Sequence, residues 1–186
     1  MTHTTHMTFQ DYVAFTSRVT AIIRDDKGAA AVLRRGLGKT PDRQPETYGI
    51  VVPLLPDNAS RTDSDVCFAL ANYIAATRDT PSRQRSNLGD SIRSLDSKRR
   101  TTGTDTPSTL EQQLISLNRE QSLAKALTQK LPRLITRIAS AKTPAFAPDW
   151  ARLGSDLARW RHTRHATTAT WLSTYHVPTR TDTETE

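Results

Sequence analysis

Apolar residues recur at steps of three and four along much of this chain, and that spacing restricts it to helices. Phe9, Tyr12, Phe15, Val19, Ile22 and Ile23 form the first such stripe. Residues at these steps share one side of a helix, whereas a half-buried strand needs strict alternation. The pattern predicts an amphipathic helix there and a second, shorter one from Ala29 to Arg35, halted by Gly36 and Gly38. Pro41 and Pro45 bracket a loop, and the apolar stretch from Tyr48 to Leu55, interrupted by Pro53, reads as a short helix or an extended segment. Asp63 is placed as the cap of a longer helix carrying Phe68, Leu70, Tyr73 and Ile74.

From Asp79 to Pro107 the composition turns to Ser, Thr, Arg and Asp, with Leu88, Ile92 and Leu95 marking one short helix. Ser108 and Glu111 then form a capping-box pattern ahead of Leu110, Leu114, Leu117 and Leu127. A helix from Lys130 to Ser140 turns Leu131, Leu134, Ile135 and Ile138 inward, and Pro132 implies that two helices meet there. Asp149 opens a helix with Trp150, Leu153, Leu157 and Trp160 on one stripe, and a last helix holds Trp171, Leu172 and Tyr175. The expected fold is all-α, two packed helical bundles. Its expected parts are a disordered N-terminus (1–8), an N-terminal bundle (9–79), a basic connector with a short helix (80–107), a C-terminal bundle (108–176) and a disordered acidic tail (177–186).

Composition narrows the function. The net charge is +7 with a pI near 10.0, a field that attracts polyanions, nucleic acid before acidic membranes or acidic proteins. Cys67 is the single cysteine, which excludes an internal disulfide and a multi-cysteine zinc site, and its neighbours Val66 and Phe68 predict burial. With no signal-peptide pattern and no apolar run near about 18 residues, the expected compartment is the cytoplasm.

Chemical motifs are incomplete. Gly38-Lys39-Thr40 matches the end of a phosphate-binding loop, but the pattern requires glycine where Leu33 stands, and a helix replaces the preceding strand. His162 and His165 stand three apart, as do His3 and His6, without the third and fourth ligands zinc requires. No carboxylate pair or Ser/His/Asp spacing marks a hydrolase, so no catalytic residue, metal or cofactor is assigned, and the chain is expected not to be an enzyme.

The arginines carry more information. Between Lys130 and His165 the basic residues Lys130, Arg133, Arg137, Lys142, Arg152, Arg159, Arg161 and Arg164 face only two acids, Asp149 and Asp156. A solvated helix face usually mixes signs to gain pairs four residues apart. Guanidinium forks on such faces suit phosphate oxygens and need no sequence code.

The stretch from Pro148 to Trp160, followed by Trp171 and Tyr175, resembles the C-terminal signature of the CasB family, the small subunit of the type I-E CRISPR Cascade complex. Val32–Gly38, Leu88-Gly89 with Ile92, and Glu111–Arg119 resemble that family's early basic helix, middle helix and acidic-start helix in the same order. The resemblance implies a non-catalytic protein of two helical bundles, present as two copies. Its implied partners are guide RNA, target DNA, the Cascade large subunit, the backbone subunits and a second copy of itself. It implies a role in holding the R-loop, the heteroduplex with its displaced strand. By resemblance, Arg34, Arg35, Arg119 and Arg133 are the first candidates for strand contacts, joined by Lys130, Arg137 and Arg159. Gln112 and Gln113 depart from the family where an arginine is usual, and Gly154 and Ser155 replace its typical lead-in. The rival readings are a helical transcription regulator, for which no helix-turn-helix stands out, and a scaffold whose arginines meet acidic protein.

Overall fold

The computed structural model describes residues 6–96, 108–141 and 145–177. Residues 1–5, 97–107 of the expected connector, Lys142 and 178–186 of the expected tail lie outside the described residues. Among the described residues the architecture is all-α, two helical bundles packed on one another through a contiguous core. The elements are α1 (Phe9–Asp25), α2 (Lys27–Arg35), α3 (Tyr48–Val51, extended by a 3-10 turn Val52–Leu54), α4 (Arg61–Ala76), α5 (Leu88–Leu95), α6 (Thr109–Arg119), α7 (Leu123–Lys125), α8 (Leu131–Ala139), α9 (Trp150–Ala158) and α10 (Trp160–His176). No described helix is long and apolar enough to cross a membrane.

The first stripe becomes α1, with Tyr12, Phe15, Val19 and Ile23 buried. Its N-cap is Thr8, whose side chain accepts from the Asp11 amide while Asp11 closes the capping box. Met7, in the segment read as disordered, is buried, and its amide donates to Asp63 Oδ2 at 3.2 Å. Asp63 is not the cap of α4. Ser60 is, and Asp63 sits at the third position of its capping box. There it also accepts from the Tyr12 hydroxyl at 2.8 Å, tying α1 to α4.

α1, α2 and α4 pack on one another, and α9 lies across α1 and α4. Gly154 makes that seat possible, since a Cβ there would come within 2.6 Å of Tyr12 Cδ1 and 2.7 Å of Leu70 Cδ1. α5, α6 and α10 form the second group, with α8 bridging α4 and α5. The expected meeting of two helices at Pro132 lies elsewhere. The break falls at Glu120–Ser122, with Ser122 capping α7, and from Leu123 the chain stays helical to Ala139. Residues Ala126–Lys130 are π-helical, and the Leu131 amide reaches back to the Ala126 carbonyl. Proline at 132 offers no N–H to the carbonyl four residues earlier and crowds it; the wider turn accommodates both effects. Tyr73 Oη, fully buried, donates to the Leu127 carbonyl at 2.6 Å and so satisfies an acceptor the altered register leaves open.

The last two helices divide differently from the single predicted stripe. α9 ends at Ala158, and Trp160 begins α10 after a bend at Arg159. Trp160 is fully buried, donates its indole N–H to the Glu120 carbonyl at 3.1 Å, and lies 5.9 Å from the Trp171 ring.

Candidate nucleic-acid interface

Arg34 and Arg35 occupy the last turn of α2, both exposed, while Ala30 and Leu33 bury the opposite face. The turn is pinned from below. Asn72 on α4, 1% exposed, donates to the Gly36 carbonyl at 3.1 Å and to Gln44 Oε1 at 2.9 Å, and Gln44 donates to the Lys39 carbonyl at 3.3 Å. A Cβ at Gly36 would fall 2.1 Å from Gln44 Oε1, so the amide network closes directly on the backbone.

Past this turn, Gly38 adopts φ of 79°, which glycine tolerates without strain. A Cβ at Gly38 would lie 3.2 Å from the Thr128 carbonyl oxygen and 3.9 Å from Pro132. The loop after α2 therefore rests on the π-helical turn that leads into α8. That contact ties the loop that follows Arg34 and Arg35 and carries the exposed Lys39 to the turn ahead of the helix bearing Lys130, Arg133 and Arg137. Along α8, Arg133, Thr136, Arg137 and Ser140 face solvent, while Leu131, Leu134, Ile135 and Ile138 are buried. Lys130 is half-buried at its head.

Arg119 and Arg159 form a second neighbourhood. α6 ends at Arg119, exposed, and its terminal carbonyls dock on α10: Arg164 donates to the Asn118 carbonyl at 2.9 Å beside the Trp160 bond to Glu120. Cationic groups at a helix C-terminus are favoured by its dipole. Arg159, exposed at the α9–α10 bend, bonds the Ser155 carbonyl and Oγ at 3.3 and 3.2 Å, so one departure from the family pattern holds its guanidinium. Arg161 and His162 are exposed alongside, and Glu120 contributes one negative charge. Burial pushes the Asp156 carboxyl above its usual range, although the Trp171 N–H, Arg152 and Arg159 oppose this.

Among the described residues the arginine–carboxylate ion pairs are Arg24–Asp25, Arg78–Asp79 and Arg93–Asp90, and the His6 and His176 rings lie 3.5 and 3.0 Å from Asp63 and Glu111. None involves Arg34, Arg35, Arg119, Lys130, Arg133, Arg137 or Arg159. Sequence reasoning set Lys39 aside with a failed phosphate-loop motif, yet the fold places it with Arg34 and Arg35. It also grouped Arg164 and Arg152 with the free basic face, whereas both bond backbone carbonyls, Arg164 on Asn118 and Arg152 on Arg85. Only the tertiary docking of α6 on α10, and of the 80s loop on α9, distinguishes them.

A model of the family described as CRISPR-associated protein Cse2 matches residues 29–176. A chain of a CRISPR RNA-guided surveillance complex is similar at 32% identity, with 90% of this chain and 92% of that chain covered and a TM-score of 0.71. CasB from Thermus thermophilus shares the fold at 18% identity, with 89% and 97% covered and a TM-score of 0.68. CasB from Thermobifida fusca shares it at 17% identity, with 92% and 99% covered and a TM-score of 0.67. Comparison with curated proteins gave no match.

Proposed function

The chain belongs to the CRISPR-associated Cse2 family, and from that premise we propose that it is a non-catalytic small subunit of a type I-E Cascade complex that holds the R-loop through its basic helix faces. The observation that carries this reading is the set of exposed arginines on α2 and α8, two elements linked by the Gly38–Thr128 contact, which have no carboxylate partners among the described residues. Guide RNA and target DNA are the proposed ligands, and the large subunit, the backbone subunits and a second copy are the proposed protein partners.

The energetics suit such a role. Exchanging a DNA duplex for an RNA–DNA hybrid is close to balanced, a principle established on another CRISPR effector, so a few backbone contacts tip the exchange. Arginines that capture a freed strand oppose reannealing. Each phosphate they neutralise releases about 0.7 counterion on a single strand. The fully buried Trp160 and Trp171 are not available to stack on bases, so any stacking falls to the exposed Phe9 and Tyr48 and phosphate contact to the arginines.

The test is Arg34→Ala with Arg35→Ala in the complex assembled with guide RNA. Helicity is expected to stay at the wild-type level, because both side chains are exposed, while target DNA dissociates roughly tenfold faster. Wild-type dissociation from a normally assembled complex would remove this pair from the interface. Pulling on the chain is expected to recover guide RNA with several other subunits; recovery of the chain alone would contradict the assignment to a complex.

A further inference from the structure

Residues 81–86 join α4 to α5 and are fastened to the segment ahead of α9. The Arg83 amide donates to the Ala147 carbonyl at 3.0 Å, the Ala147 amide to Pro81 at 2.9 Å, and Ser82 Oγ to Pro148 at 2.7 Å. Within this loop Arg85 has φ of 62°, alone among the described non-glycine residues in taking a positive value. Two groups hold it there: its amide donates to Asp149 Oδ2 at 2.9 Å, and its carbonyl accepts from Arg152 Nη1 at 2.8 Å.

The left-handed region crowds any Cβ, and glycine or asparagine occupies it more readily than arginine. A glycine at 85 would keep both backbone bonds and relieve the strain. The backbone therefore gives no reason for an arginine here, and an outlier of this kind directs attention to what the side chain does. That side chain is exposed, is in no ion pair with a described carboxylate, and borders a groove of about 610 Å³ between the start of α5 and the outer face of α10. Arg152, Asn87, Thr170 and Thr174 also line it. The groove also contains Asp90, whose carboxylate is bonded by Arg93 at 3.3 Å.

We propose that this groove is a separate phosphate subsite, in which the Arg85 fork and the remaining N–H groups of Arg152 take the phosphodiester oxygens of a nucleic-acid strand. It rests on the reading of the chain as a nucleic-acid binder and adds a surface built from elements other than α2 and α8. Arginine's planar donors match two phosphate oxygens at once. A loop clamped at both ends presents them without the ordering loss of a free one.

The test uses the full chain, a fluorescein-labelled oligothymidylate followed by anisotropy, and thermal melts. Arg85→Gly removes both charge and strain; Arg85→Gln removes charge and keeps the strain. Arg85→Gly is expected to melt at or above the wild-type temperature and Arg85→Gln at it, and both are expected to bind roughly fivefold more weakly. Wild-type affinity in either variant, or a lowered melting temperature in Arg85→Gly, overturns the subsite. Arg133→Ala separates this proposal from its premise. If that variant loses affinity while the Arg85 variants keep theirs, only the subsite fails; if the wild type binds no oligothymidylate, the nucleic-acid reading fails with it.

Discussion

Asp63 shows how much one buried side chain can hold. Its two oxygens accept from the Met7 amide, the Ser60 amide and hydroxyl, and the Tyr12 hydroxyl, joining the start of α1 to the start of α4. Burial raises its carboxyl pKa, but the hydrogen bonds from Ser60, Tyr12 and Met7 outweigh burial and hold it below the usual range. A carboxyl depressed in the folded state contributes stability above its unfolded pKa, and that contribution is lost as pH falls through the folded value. Asp63→Asn is therefore expected to unfold about 2 kcal/mol more easily in urea at neutral pH. The gap from wild type should narrow once pH drops below the ordinary aspartate range; a gap independent of pH would contradict the linkage. The sequence placed Asp63 at the right helix end but in the wrong position, since Ser60 three residues earlier is the cap and Asp63 closes its box; the bond from Tyr12, on another helix, was not legible at all. Cys67 and Trp160 were legible as core residues from their neighbours and spacing, and both are fully buried.

At the scale of elements, periodicity located nearly every helix, because a stripe of apolar residues records the face that packs. It did not record how helices bend or meet. The π-helical turn before Pro132 and the bend at Arg159 are held by partners far away in sequence, the donor Tyr73 for the first and the acceptor carbonyl of Glu120 for the second. Glycines mark close crossings in the same way. A Cβ at Gly89 would stand 1.9 Å from the Trp171 carbonyl oxygen, so α5 and α10 touch backbone to backbone at that point. Resemblance singled out Leu88-Gly89, and the crossing gives the physical reason for the glycine. Gly89→Ala is expected to cost about 3 kcal/mol, because backbone rather than a flexible side chain must move. Thermal unfolding within a degree of wild type would mean that the two helices can separate there at little cost. Gly154, a departure from the family pattern, follows the same logic: α9 lies too close to Tyr12 and Leu70 for a longer side chain.

For the whole molecule, charge and spacing placed Arg34, Arg35, Arg133 and Arg137 on the surface, where they are, since residues beside an apolar stripe face solvent, but also placed there Arg152 and Arg164, which are half-buried. They could not foretell which would become neighbours. Arg34 and Arg133 are far apart in the chain, and their elements are linked by the rest of Gly38 on Thr128 and Pro132 and by the packing of α2 and α8 on α4. Nor could they separate free guanidiniums from those bonded to carbonyls, as Arg152, Arg159 and Arg164 are. On the proposed function, the free ones, exposed on helix faces, are what would hold a sugar–phosphate strand. The most direct measurement is the salt dependence of single-strand binding by the full chain, compared with a variant carrying Arg34→Ala, Arg35→Ala, Arg133→Ala and Arg137→Ala. The wild type is expected to weaken steeply as salt rises, with the log–log slope shallower in the variant by up to about 3, or about 0.7 for each lost phosphate contact. A slope near zero in the wild type, or one that the four substitutions leave unchanged, would contradict the account.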